Sequence, residues 1–250
     1  MSEFIKTERH DAVQIIRMNR PDKKNAITRD MYHGIAKALR QADNNDSIRV
    51  NVLLGLPGAF SAGNDMQDFM TAAMSQGSLG GEIVDFLHTL SQSRKPLISG
   101  VDGLAIGVGT TLNLHCDLTF ATPRAVFHTP FVDLGLVPEA GSTLLAPGIM
   151  GHQRAFALLA MGEAMSAEQA LEAGIVWRIV AEDVLESEVL NAAQKLAARP
   201  PTALQLTREL MKSQPEPLNA RIDREAQIFA DRLKSAEAAQ AVGAFLSRKK

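Results

Sequence analysis

At 250 residues, with 46% hydrophobic and 22% charged side chains, the chain is long enough to bury a sizeable core and too apolar for disorder. A formal net charge of -2, with no lysine or arginine stripe, leaves no basic footprint for nucleic acid. The single cysteine, Cys116, excludes an internal disulfide, no apolar run has signal-peptide or membrane-span length, and Ser247-Arg248-Lys249-Lys250 is not a Ser-Lys-Leu address, so a cytoplasmic location is expected.

The run from Ala12 to Met18, rich in Val and Ile and stopped by Asn19-Arg20-Pro21, predicts a strand and a turn. Lys23-Lys24-Asn25-Ala26 is a polar loop. Thr28 then predicts a helix start: Met31, Ile35, Leu39 and Ala42 recur at helical spacing, and Asp30 places a negative charge in the first turn. Ile48, Val50, Val52 and Leu54 alternate as in a half-buried strand, which ends at Gly55-Leu56-Pro57-Gly58. From Ala59 to Met66 a strand, small residues and one glycine lead to a helix from Asp65, which offers the free backbone N–H of Asn64 and makes Asp65 a cap. The small, flexible composition from Ala72 to Gly81 predicts a loop lying over a site, and Ile83, Phe86, Leu87 and Leu90 mark the next helix.

A second glycine junction follows. The apolar strand Pro96 to Val101 runs into Gly103, Gly107 and Gly109 and then a threonine-leucine segment suited to a helix start. Such glycines let the backbone approach a ligand, and N–H groups at a helix start favour negative charge. A dinucleotide fingerprint needs a glycine where Leu112 stands, and no lysine follows to make a phosphate loop. Short strands at Leu118 to Ala121 and Ala125 to Phe127 lead into the loop Thr129 to Ser142, which carries Asp133 and Glu139. This order predicts an α/β fold of stacked β-β-α units. Ser166 with Gln169 forms a capping box for a helix to Ala173, closed by Gly174; Ile175 to Val180 reads as one late strand. From Glu182 onward the pattern is helical, with Thr202 and Gln205 as another capping box, and a boundary near residue 190 divides a core, 1–190, from a helical region, 191–250. His10, His33, His88, His115, His128 and His152 have no metal spacing, and no metal is expected.

Two separated glycine turns, each offering one backbone N–H, are what an enzyme needs to hold a thioester oxygen that becomes an enolate. The pieces Lys24-Asn25-Ala26, Phe60-Ser61-Ala62-Gly63-Asn64-Asp65, Asp102-Gly103-Leu104-Ala105-Ile106-Gly107-Val108-Gly109, Cys116-Asp117, Leu134-Gly135-Leu136-Val137-Pro138 and Ser166 to Val176, taken in order, resemble the crotonase (enoyl-CoA hydratase/isomerase) superfamily. The resemblance implies a spiral of β-β-α turns with a C-terminal helical region that builds homotrimers or hexamers. It implies an acyl-CoA substrate bent between turns, its adenine near Lys24, Asn25, Ala26 and Ala62, and oxyanion N–H groups on Asn64 and Val108. Asp65, Met66, Gly107, Phe131 and Leu136 are the further substrate contacts it implies. Coenzyme A arrives with the substrate, and no separate cofactor is expected. Lys23, Lys24 and the tail from Arg248 to Lys250 are the candidates for its phosphates.

The departures from the family pattern point to a reaction. The two glutamates of the hydratases correspond to Thr111 and Phe131, neither of which transfers a proton at neutral pH, so hydration is disfavoured. Glu139 lies in Val137-Pro138-Glu139-Ala140-Gly141, similar to the Pro-Glu-Gly stretch of peroxisomal-type Δ3,Δ2-enoyl-CoA isomerases. That implies one carboxylate moving a proton between C2 and C4 of a 3-enoyl-CoA. Such a shuttle requires the Glu139 carboxyl to be raised from about 4.3, with Phe131, Leu134, Leu136 and Val137 as the expected wall. Asp133 reads as a structural or solvated residue. The alternatives are a ring-epoxide isomerase of aromatic CoA thioesters, an enoyl-CoA hydratase, or a non-catalytic acyl-CoA binding module.

Overall fold

Runs of β-branched and leucine residues with both faces covered form the centre of the protein. In the computed structural model, which describes residues 2–68, 70–71 and 81–247, strands β2 (Val13–Met18), β3 (Val50–Leu54), β5 (Leu97–Val101) and β7 (Leu118–Ala121) lie side by side and parallel. Every residue of β3 and β5 is buried, so β3 is covered on both faces and is not the half-buried strand that the alternation of Ile48, Val50, Val52 and Leu54 suggests; its Asn51 is buried with the rest. The sheet is completed by β1 (Ile5–His10), antiparallel to β2, and by β10 (Arg178–Ile179), parallel to β7. A second, smaller sheet orders β4 (Ala59–Ser61), β6 (Leu104–Ile106), β8 (Val126–His128) and β9 (Met165–Ser166). The chain therefore passes from a strand of the large sheet to one of the small sheet and on to the next turn, three times over: β3 to β4, β5 to β6, β7 to β8. This is the predicted α/β spiral.

The corner between β5 and β6 needs Gly103. Its φ is +69°, and a Cβ there would lie 2.0 Å from the Gly58 carbonyl oxygen of the turn below. Asp102 joins the same two turns, accepting from Gly58 N–H at 2.8 Å, Thr122 Oγ1 at 2.8 Å and Arg124 Nε at 2.6 Å. Helix α1 (Arg29–Asp43) starts as predicted, with Thr28 Oγ1 accepting from Met31 N–H. Its stripe of Met31, Tyr32, Ile35, Leu39 and Ala42 is buried against β1, β2 and helix α2 (Gly81–Gln92), which supplies Ile83, Phe86 and Leu90.

Three further local readings change. Strand β1 has no signature in the sequence because only Ile5 of its residues is buried; it exists through pairing with β2. The late strand at 175–180 is confined to Arg178–Ile179. Thr202 and Gln205 form no capping box, since Pro201 takes the first position of the helix Pro201–Lys212 and leaves Thr202 inside the first turn, where the Glu237 carboxylate receives the N–H groups of Thr202 and Ala203. The box at Ser166 and Gln169 is present in both directions, and Gly174 follows its helix at φ +83°.

The chain divides into two compact units, Met1–Leu196 and Ala197–Lys250, against the 190/191 boundary expected. Helix Leu185–Ala197 lies almost wholly in the first because it buries Leu185, Val189 and Ala193 there. The second unit is built from helices Pro201–Lys212, Leu218–Leu233 and Ala236–Ser247. Among the described residues no helix is long and apolar enough to cross a membrane.

Candidate active site

The two glycine junctions come together because β4 pairs with β6. Beyond β4, Ala62 N–H donates to the Lys24 carbonyl at 2.9 Å. The turn is then stitched to residue 27, with Ile27 N–H to Gly63 O at 2.7 Å and Asp65 N–H to Ile27 O at 2.9 Å. The intervening Asn64 N–H meets no acceptor among the described residues. Gly63, at φ +87°, allows the turn to close on β6, since a Cβ there would lie 2.9 Å from Ile106 O. Beyond β6, Gly107 takes φ +55° and accepts from the N–H groups of Thr110 and Thr111. Val108 thereby opens the short helix α3 (Val108–Thr111) with its own N–H unpaired among the described residues. Its side chain is wholly buried, so the departure from glycine at this position alters packing and leaves the backbone donor in place.

Glu139 is tied to that same helix. Thr111 Oγ1, one turn along from Val108, donates to Glu139 Oε1 at 2.5 Å, and Oε2 has no hydrogen-bond partner among the described residues. The backbone beneath is held by three contacts: Ser142 N–H and Oγ reach Glu139 O at 3.0 and 2.6 Å, and His115 Nε2 lies 2.8 Å from Ala140 O. Ala140 and Gly141 are both left-handed, at φ +60° and +64°. Burial pushes the Glu139 carboxyl up to about 7, with the Thr111 hydrogen bond pulling in the opposite direction. Phe131 is buried as expected, but Leu134, Leu136 and Val137 are 55%, 40% and 82% exposed and do not wall the carboxylate. The side chain that does bond to the carboxylate is that of Thr111.

Several residues expected to touch substrate are occupied elsewhere. Asn25 is fully buried: its N–H and Oδ1 bond to Arg20, its Nδ2 to Ala59 O and Phe60 O, and its carbonyl to Ser61 Oγ. Asp65 caps the following turn through Gln67 N–H and Asp68 N–H, as expected, and its other oxygen takes Arg20 Nη1 at 2.7 Å. Both are braces of the site. Lys24, by contrast, is exposed and left-handed at φ +48°, and Met66, next to Asp65 in the chain, is 49% exposed. Asp133 is exposed. The stretch 72–80, expected to overlie the site, and the tail 248–250 lie outside the described residues.

Sequence reasoning missed Tyr32. It is 1% exposed, packs its ring 5.0 Å from Phe86, and donates its hydroxyl to Asn64 Oδ1 at 2.5 Å. Its signal was a polar-tipped side chain on the buried stripe of α1, in a chain with a single tyrosine.

The family described as enoyl-CoA hydratase/isomerase matches residues 8–250. Enoyl-CoA delta isomerase 2 of Rattus norvegicus is 36% identical over 239 residues, 94% of this chain and 61% of its own length. The 1,2-epoxyphenylacetyl-CoA isomerase of Escherichia coli K12 is 33% identical over 257 residues, 100% of this chain and 97% of its own. A solved structure from Magnetospirillum magneticum AMB-1, reported as an enoyl-CoA hydratase/carnithine racemase, superposes with a TM-score of 0.94 at 41% identity, covering 99% of this chain and 97% of that one. The chain spans about three fifths of the rat isomerase and, at 62%, of its human counterpart.

Proposed function

The chain belongs to the enoyl-CoA hydratase/isomerase family, and on that footing we propose that it is an acyl-CoA isomerase that shifts the double bond of a 3-enoyl-CoA to the 2-trans position. The observation that carries this reading is a single carboxylate, Glu139, raised to about 7 by burial and hydrogen-bonded to the helix that begins at Val108. A group that must both take and return a proton works best when its pKa lies near the working pH.

In the proposed cycle the thioester oxygen sits between the Asn64 and Val108 N–H groups. The Glu139 carboxylate removes a proton from C2, and the pair of that C–H bond becomes the C1=C2 bond of a dienolate whose oxygen charge the two N–H groups hold. Glu139, now protonated, gives the proton to C4. The C3=C4 pair forms the new C–H bond, the double bond settles between C2 and C3, and the carbonyl returns. Every atom is retained and the carboxylate is regenerated. Oε2, free of any protein donor among the described residues, is the oxygen assigned to carry the proton. Hydration requires a second acid-base group, and Thr111 and Phe131 occupy its positions.

Coenzyme A enters with the substrate over the exposed Lys24 turn, with no other cofactor. The exposed apolar residues Met211, Leu218, Phe229 and Leu233 of the helical unit suit assembly into a homotrimer or hexamer. A ring-epoxide isomerase is the second reading, supported by full-length similarity to the Escherichia coli 1,2-epoxyphenylacetyl-CoA isomerase. The deciding experiment offers a 3-enoyl-CoA and a ring-epoxide aryl-CoA side by side to the wild type and to Glu139→Gln. Conjugated 2-enoyl thioester from the first, lost in the variant, supports the proposal. Turnover of the epoxide alone, or 3-hydroxyacyl-CoA formed from a 2-enoyl-CoA, overturns it.

A further inference from the structure

We propose that Tyr32 is a positioning residue for the oxyanion turn, acting through the side chain of Asn64. This rests on the reading of the Asn64 N–H as an oxyanion donor. The Tyr32 hydroxyl donates to Asn64 Oδ1 at 2.5 Å, whereas the Asn64 backbone is held only from its neighbours, through Gly63 O and Asp65 N–H to Ile27. Among the described residues the phenol is therefore the one side-chain hydrogen bond to the residue bearing the free N–H, and it comes from the buried stripe of α1 and not from the turn itself.

Two further features fit a role in the site over a role in packing. The ring already has its apolar partner in Phe86, 5.0 Å away, so the hydroxyl adds nothing that phenylalanine would not supply to the core. The hydroxyl also lies within the field of Glu139: burial, and then the charge of Glu139, hold the phenol well above its ordinary range. Tyr32 therefore stays a neutral donor wherever Glu139 works, and its proton remains committed to Asn64. The same α1 residue thus touches the turn that holds the oxygen and senses the carboxylate that moves the proton.

The test is Tyr32→Phe, which keeps the ring and removes only the hydroxyl. The expected result is a fall in kcat of about 3- to 10-fold, the worth of one hydrogen bond, with KM for the 3-enoyl-CoA changed less than about twofold. A 3-oxoacyl-CoA supplies the more direct readout, since its enolate absorbs in the near ultraviolet and its acidity reports the oxyanion hole without any proton shuttle. Bound to Glu139→Gln protein, the ligand is expected to ionise at lower pH than when free, and less so when Tyr32→Phe is added. In an Asn64→Ala background Tyr32→Phe is expected to have no further effect. Equal enolate acidity with and without the hydroxyl, or an undiminished effect of Tyr32→Phe in the Asn64→Ala background, overturns the inference. Failure of the parent protein to acidify the ligand at all overturns the oxyanion reading beneath it.

Discussion

Thr111→Val removes the hydroxyl that donates to Glu139 Oε1 while keeping a branched side chain of nearly the same size at a wholly buried position. A hydrogen bond to a charged acceptor contributes about 1.5–3 kcal/mol, which corresponds to about 1–2 pKa units favouring the ionised form. Losing it, and placing a methyl where a hydroxyl was, both push Glu139 further up from its value of about 7. At pH 7 the ionised fraction of the free enzyme then falls from about one half to between roughly one tenth and one hundredth, so kcat/KM for the 3-enoyl-CoA drops about 5- to 50-fold. The loss is specific to the acid limb, and raising the pH by the same 1–2 units, roughly, restores it. The assay is a pH profile of kcat/KM for both proteins, read from conjugated thioester formation. An acid limb that stays near the wild-type position, or moves to lower pH, refutes the assignment of Glu139 as the proton carrier tuned by Thr111.

Glu139→Gln is expected to lose at least about 100-fold in kcat, the lower range for removing a general acid-base group, measured with the same substrate. It also changes stability in a pH-dependent way. The folded value of Glu139 lies above its ordinary 4.5, so its contribution is fully present below pH 4.5 and is lost as pH rises through about 7; the total is at most about 3 kcal/mol. Thermal melts should therefore match wild type near pH 4.5 and favour the glutamine variant at pH 8 to 9. Gly63→Ala sets a left-handed φ of +87° and a 2.9 Å approach to Ile106 O against a Cβ, and is expected to cost about 1–2 kcal/mol or more in denaturant titration, with activity falling as the two turns separate. Asp65→Asn keeps a capping oxygen but removes the charge paired with Arg20, costing about 1 kcal/mol at pH 7. The backbone N–H of Asp68, followed by Arg20, holds the Asp65 carboxyl below its ordinary value, so this difference persists above pH 3.8 and closes as pH falls below it.

What could be read from the sequence and what could not separate along physical lines. The glycine junctions at Gly63 and Gly107, the cap at Thr28 and the box at Ser166 are legible because each is a local event, decided by a conformation or a hydrogen bond within a few residues. Strand β1 was invisible because its exposed face carries polar residues and its structure comes from β2. Asp65 was legible as a cap, but its pair with Arg20 and the bracing role of Asn25 were not. Short polar side chains in a turn bond to backbone in the same way whether they serve a ligand or the loop, and only the partners across the fold decide which. Leu136 and Val137 looked like a pocket wall because apolar residues beside an acid suggest one, yet both are exposed in the folded unit.

The same reasoning explains why the chemistry was easier to read than its tuning. The absence of carboxylates at Thr111 and Phe131 is a fact about residue types and needs no coordinates. Thr111, however, is more than an absence. In the hydratase pattern its position would hold a second acid; here its hydroxyl donates to the Oε1 of Glu139. A glutamate at 111 would set two carboxylates against each other and divide the protonation between them, whereas threonine leaves one oxygen of Glu139 bound and the other without a protein donor among the described residues. A single carboxylate with one bound oxygen and a value near neutrality is suited to moving one proton between two carbons and unsuited to activating water as well. Under the proposed function, threonine at 111 thus both leaves out the second acid that hydration needs and holds one oxygen of the acid that remains.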